Sequence, residues 1–286
     1  MSDRGTLSIC VPNARGQNDA AFTISLVALG AYLGGTQQSF RQHFVPNSVV
    51  HHARQTCVTS ALEHEDVSHI LFLDDDMTFT PEDFAALHNE FIEHDLDFLA
   101  ALAFTNTIPT KPCVFGKLAE RPRWGKEDWW HIVSDYPGIT RRRFDIDQNR
   151  WEMIRPYGDH RRFKCEATGM GMVLMSRRML DAMRRDAEGN IIEGYQHFQC
   201  TKMKYPHEDV AFCFNAMDKG FTIWCDSRVR IGHISRDKPI IDENTYLAQG
   251  DAIEYHLNCP RLRFDNDDST TVLQVPAMET LGAASL

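Results

Sequence analysis

Apolar positions fall along the chain in two alternating rhythms. Leu7–Val11 (Leu-Ser-Ile-Cys-Val) is a short run of strand formers that Pro12 is expected to end. Asn18–Leu33 follows with Phe22, Leu26, Leu29 and Leu33 at helical spacing, and Gly34-Gly35 is the expected stop. Ser39–Val45 is strand-like. Ser48–His64 is helical, with Val49, Ala53, Cys57 and Ala61 on one stripe and Ser48 as the expected N-cap. His69–Leu73 is a buried strand running into Asp74-Asp75-Asp76. Thr80-Pro81-Glu82-Asp83 then opens a helix with a cap, a proline suited to the first turn and a capping-box acid. Leu96–Ala103 and Met172–Ser176 are further strands, Arg177–Arg185 and Val210–Lys219 helices, and Phe221–Cys225 a late strand. Strand and helix alternate, which predicts an α/β fold: a mostly parallel sheet flanked by helices.

One stretch breaks this rhythm. Residues 116–164 hold Trp124, Trp129, Trp130 and Trp151, four of the five tryptophans, with twelve Lys/Arg against eight Asp/Glu. Short antiparallel strands and loops are expected there, as an insertion or lid whose rings could stack on a ligand, or as ordinary aromatic core. Residues 1–264 are expected to form one domain, with 265–286 a loose tail.

Composition narrows the classes. With 286 residues, 43% hydrophobic, the chain can bury a core and is not mainly disordered. A net charge of −10 argues against a broad non-specific polyanion binder. No apolar run reaches the ~20 residues that span a bilayer. The N-terminus shows no charged n-region followed by an apolar h-region, so a cytoplasmic protein is expected. Eight cysteines occur, no two separated by only two residues; buried, reduced thiols are the simplest reading.

The chemistry concentrates in five places. Three adjacent aspartates at a strand's carboxyl end repel one another and stand where α/β sheets bind ligands; a hard divalent cation would neutralise them. The plainer alternative is an acidic turn capping a helix. Glu208-Asp209 open an apolar helix, as carboxylates favoured by its dipole or as a general base and an acceptor ligand. His233, after Ile231-Gly232, is a core or surface imidazole or completes a metal shell begun by Asp76. Gly169-Met170-Gly171 admits a close ligand or simply a tight strand entry. Arg54, within His51–Gln55, is a solvated charge or a phosphate or base contact.

Taken in this order, the signals resemble the GT-A-fold glycosyltransferases, family 2-like, over about residues 7 to 235. The pattern is Val11-Pro12-Asn13, Ala-Arg-Gln at 53–55, a DXD motif in Leu73-Asp74-Asp75-Asp76, Gly169-Met170-Gly171, Glu208-Asp209 and Gly232-His233. The resemblance implies a Rossmann-like mixed sheet with a small antiparallel acceptor region. It implies donor contacts from Pro12, Asn13, Arg54, Asp74, Asp75, Gly169, Met170 and Gly171. Asp74 would hold ribose or the water shell of a Mn2+ or Mg2+ ion, Asp76 would bind that metal directly, and His233 would add a ligand to the metal or the diphosphate. Asp209 would be the base of an inverting reaction and Glu208 an acceptor ligand. The donor would be a nucleotide sugar, UDP-sugars first. The acceptor stays open; the Arg141–Arg143 and Arg161-Arg162 runs are solvated loops or touch an anionic acceptor such as DNA with a hydroxylated base. A nucleotide-sugar-binding module without turnover and a nucleotidyltransferase are the alternatives. The chain contains no GxxxxGK[ST] phosphate loop.

Overall fold

The computed structural model describes residues 5–14, 16–105, 110, 112–115, 142–145, 150–153, 162–198, 208–235 and 238–248. Most of the Trp-rich 116–164 stretch, Arg141, Arg161, Tyr205–His207 and the expected tail at 265–286 lie outside the described residues.

In chain order the elements are β1 (Thr6–Asn13), α1 (Ala20–Gly35), β2 (Phe40–Pro46), α2 (Val50–Leu62), β3 (Val67–Leu73), β4 (Met77–Thr78), α3 (Pro81–Glu93), β5 (Phe98–Leu102) and β6 (Val114–Phe115). There follow β7 (Arg142–Asp145), β8 (Arg150–Met153), β9 (Arg162–Cys165), β10 (Ala167–Thr168), β11 (Met172–Ser176), α4 (Arg177–Met183) and α5 (Glu208–Asp218). The described elements close with β12 (Ile223–Arg230), β13 (Gly232–Ser235), β14 (Lys238–Ile241) and α6 (Glu243–Ala248).

The main sheet has the order β2-β1-β3-β11-β5-β12-β9. β2, β1, β3, β5 and β12 share one direction, while β11 and β9 run against their neighbours. This is the expected mixed, mostly parallel sheet flanked by helices. Smaller sheets add β14-β13-β4, β10-β6 and the antiparallel pair β7-β8.

Period-two alternation sends each strand's side chains into two layers. From β3, Ile70 and Phe72 pack with Cys57, Val58 and Ala61 of α2, Met179 and Leu180 of α4, and Phe212 and Phe214 of α5. Leu71 and Leu73 pack on the other face with Phe22, Leu29 and Leu33 of α1 and Phe84, Leu87 and Phe91 of α3. Each such fully buried side chain contributes about 1.5–3 kcal/mol of apolar transfer. The α3 start has the expected capping box: Thr80 Oγ1 accepts from the Asp83 amide at 3.1 Å, and Asp83 Oδ2 accepts from the Thr80 amide at 2.9 Å.

Three expected boundaries are corrected. β1 continues through Pro12 to Asn13, because beyond Cys10 only β2 keeps pace with it and a missing amide proton is tolerated there. α1 passes Gly34-Gly35, since Thr36 still donates to Tyr32 O at 2.9 Å; the left-handed terminating residue is Gln37, at φ 56°. Val49, not Ser48, is the N-cap of α2, without a side-chain cap bond, and it is 61% exposed off the buried stripe.

Candidate active site

β3 delivers Asp74-Asp75-Asp76 at its carboxyl end, where β11 enters alongside in the opposite direction. The turn is fixed by backbone: the Asp74 amide donates to Gly171 O at 3.0 Å, Met77 N to Asp74 O at 3.2 Å, and Ile234 N to Asp76 O at 2.7 Å. β4, directly after the turn, pairs with β13, setting His233 opposite Met77. The acidic turn is thus held between the entry of β11 and the β13 strand, and the late imidazole is delivered beside it.

His233 Nε2 lies 3.3 Å from Asp76 Oδ2. Its Nδ1 lies 2.9 Å from Phe104 O, which can only accept, so Nδ1 carries a proton; Nε2 donates to Asp76 when it is protonated too and offers a lone pair toward the turn once that second proton is lost. Burial lowers the affinity of this imidazole for a second proton, but the hydrogen bond and charge of Asp76 outweigh it, and its pKa lies above the ordinary value.

Arg54 ties together two other predicted residues. Its side chain rises from the buried face of α2 with 4% of the residue exposed. Nη2 donates to Asp74 Oδ1 at 2.8 Å and to Oδ2 at 2.9 Å, and Nη1 donates to Glu208 Oε1. Burial works against the Arg54 charge, yet Asp74 and Glu208 together raise its pKa. Burial also raises the Asp74 pKa, with Asp76 and Glu208 adding to it against the opposing pull of Arg54. Glu208 and Asp209 open α5, and Asp209 Oδ1 accepts from Val210 N at 2.7 Å.

The remaining predicted residues are placed as follows. Pro12 and Asn13 end β1, on the strand beside β3. Asn13 is 5% exposed, its Nδ2 donates to Asn18 Oδ1, and its carbonyl accepts from Asn47 N at 2.9 Å. Gly169 bonds through its amide to Cys113 O at 2.8 Å, and a Cβ on Gly169 would stand 3.2 Å from Cys113 Cβ. A Cβ on Gly171 would stand 3.1 Å from Met77 Sδ. Both glycines thus admit close packing of the strand entry. Met170 is 1% exposed within the core, so its side chain packs inward. Asp75 is partly exposed in the turn.

Two participants have no sequence signal. The Phe104 carbonyl orients His233, and a carbonyl leaves no trace in residue type. Cys113 lies within the fields of Asp209, Asp74 and Asp76; burial and these charges push its thiol up to about 12. It follows Pro112 in a stretch without periodicity, and nothing in the sequence connects it to the acidic turn.

Among the described residues no cluster of three or more His, Cys, Asp or Glu is arranged to hold a metal ion. Of the expected set Asp74, Asp76 and His233, the last two converge, while Asp74 faces Arg54. At 3.3 Å the two side chains of the pair bond directly to one another, and a carboxylate oxygen and an imidazole nitrogen are donor types that a small divalent ion would accept.

No protein-family model and no curated protein sequence matches the chain. Among solved structures it is similar to A197 from STIV, at 15% identity and a TM-score of 0.50 over 85% of this chain and 93% of that one. It is also similar to GalNAc-T7, solved with UDP, GalNAc and Mn2+, at 11% identity and a TM-score of 0.46, over 82% of this chain and 45% of that one. A third likeness is to a glycosyltransferase involved in the glycosylation of the major capsid of PBCV-1, at 11% identity and a TM-score of 0.29, over 61% and 62% of the two chains. At such identities the likeness is one of fold, the mixed, mostly parallel α/β sheet flanked by helices described above.

Proposed function

We propose that the chain is a metal-dependent glycosyltransferase that moves a sugar from a nucleotide-sugar donor to an acceptor hydroxyl, with residues 1–264 acting as one catalytic domain. The observation that carries the reading is the pairing of Asp76 with an oriented His233 at the tip of β3, beside Asp74, Glu208 and Asp209. Asp74, Glu208 and Asp209 act on the buried Arg54 guanidinium and Asp76 acts on Asp74, and a small oxygen-seeking cation at the turn would offset the mutual repulsion of these acids.

Asp76 and His233 would hold Mn2+ or Mg2+, with solvent and donor filling the open positions. Bound there, the ion would supply Lewis-acid stabilisation of a departing nucleoside diphosphate. The chain's own residues account for the rest. Pro12 and Asn13, at the end of β1, would flank the nucleoside, for which UDP is the first candidate. Gly169 and Gly171 keep the wall beside the turn thin. Asp209 would take the proton of the acceptor hydroxyl as that oxygen bonds to the anomeric carbon and the bond to the diphosphate oxygen breaks. A positioned carboxylate of this kind contributes roughly 10²–10⁴-fold. Glu208, held by Arg54, would face the acceptor.

The test is release of nucleoside diphosphate from a panel of UDP-, GDP- and TDP-sugars with Mn2+, with and without chelator. Asp76→Ala should abolish release while leaving the unfolding transition cooperative. Full turnover in Asp76→Ala or in excess chelator would overturn the metal assignment. Pyrophosphate release would point to nucleotidyl transfer, and tight donor binding without turnover to a binding module.

A further inference from the structure

We propose that Arg54 is a positioning residue that fastens the first turn of α5 to the tip of β3, so that occupancy of the donor side is felt at the neighbouring Asp209. The fastening rests on geometry alone; the labels donor and acceptor rest on the glycosyltransferase reading above.

The guanidinium spans two carboxylates far apart in sequence, 20 residues away at Asp74 and 154 away at Glu208. One nitrogen of its fork, Nη2, donates to both oxygens of Asp74, and the other, Nη1, donates to Glu208. A lysine ammonium is a point charge without this two-ended shape. Arg54 rises from a covered stretch of α2, where Ala53, Cys57 and Val58 are fully buried. Little of either ion pair faces water: Arg54 is 5% exposed in its side chain, Glu208 13% and Asp74 22%. Charge-assisted bonds at such sites are strong and directional.

The two anchored points differ in what they adjoin. Asp74 is two residues from Asp76, and its backbone bonds both to Gly171 and to Met77. Glu208 is the first residue of α5 and precedes Asp209, while the rest of the helix is locked in the core through Val210, Phe212 and Phe214. A shift of Asp74 therefore reaches Glu208 through one rigid side chain. The arrangement also points both carboxylates at Arg54, and Asp209, next to Glu208 in the same turn, lies within the field of the guanidinium.

Hydrogen exchange on the full chain tests this, comparing wild type with Arg54→Met and Arg54→Lys. The amides of Phe212, Cys213 and Phe214 close the first turn of α5 onto the carbonyls of 208–210. Without ligand, both variants should exchange these amides about tenfold faster, with α3 unchanged. On adding MnCl2 and UDP, the wild type should slow them by about fivefold and the variants should not. UDP affinity by calorimetry should change less than about threefold in the variants, well short of the tenfold that a lost direct contact would bring. Unchanged ligand-free rates, a ligand response that survives in both variants, or a loss of UDP affinity beyond tenfold would each overturn the proposal. A wild-type chain that binds no UDP with Mn2+ would strike at the glycosyltransferase reading alone, and the fastening then stands or falls on the ligand-free rates.

Discussion

Acid should unfold this protein through a pair of imidazoles remote from the acidic turn. His69 lies on β3, 2% exposed, with Nδ1 at 2.6 Å from Ser68 Oγ and Nε2 at 2.9 Å from His88 Nε2 on α3. The two rings stack at 5.0 Å; His88 in turn stacks on Phe84 at 5.1 Å, and Phe91 lies 5.8 Å from His69. A bond between two ring nitrogens needs one donor and one acceptor, which two neutral rings provide. Burial, and secondarily His88, lower the pKa of His69 from 6.5 to about 3. The sign follows from proton uptake. Below pH 6.5 the unfolded chain binds a proton that the folded chain refuses, so stability falls as pH drops from 6.5 toward 3 and levels off below that. From pH 7 to pH 4.5 this single group removes about 2.5 kcal/mol. His197, lowered to about 4 by burial, adds its own loss over the upper part of the same window. Urea midpoints for wild type and His69→Gln at pH 7 and pH 4.5 isolate the first contribution. The variant should start less stable and lose about 2–3 kcal/mol less over that interval. Equal losses in both proteins would refute the account.

Other outcomes are equally specific. Gly232→Ala would press a methyl group into Ile240 and Thr78, so it should cost about 1–3 kcal/mol in urea unfolding and weaken Mn2+ binding by displacing the strand that carries His233. Thr80→Ala removes the capping-box hydroxyl of α3 and should cost about 1 kcal/mol without changing Mn2+ affinity, both read from titrations on the purified variant. Cys113, with its thiol pushed up to about 12, should resist iodoacetamide at pH 8 in the native protein and react in urea, as mapped by peptide mass. Rapid native alkylation of Cys113 would show that the carboxylate cluster does not surround it.

Element type was legible wherever burial imposes a period. β3 and β11 carry continuous apolar runs because both faces of the sheet are covered, and α1 repeats Phe22, Leu29 and Leu33 because one face is. Thr80-Pro81-Glu82-Asp83 was readable because a cap is a local device. The boundary at Gly34-Gly35 was misleading, since a glycine permits a left-handed turn without requiring one, and Gln37 takes it. Within the site, the acidic turn announced itself by uncompensated charge. Arg54 was visible only as a charge near a helix start; its burial between Asp74 and Glu208 depends on α5 returning from far along the chain. Cys113 and the Phe104 carbonyl were silent, because their roles come from tertiary approach and from main chain.

The loop between β3 and β4 is pinned at its backbone as well as through its side chains: Gly171 O receives Asp74 N, and Asp76 O receives Ile234 N. At Asp76 its path is accordingly independent of what it displays. Replacing Asp76 by asparagine or alanine should leave the scaffold in place, whereas Asp74 balances the buried Arg54, so the cradle can be refitted over evolutionary time at one position while its neighbour stays tied to the frame.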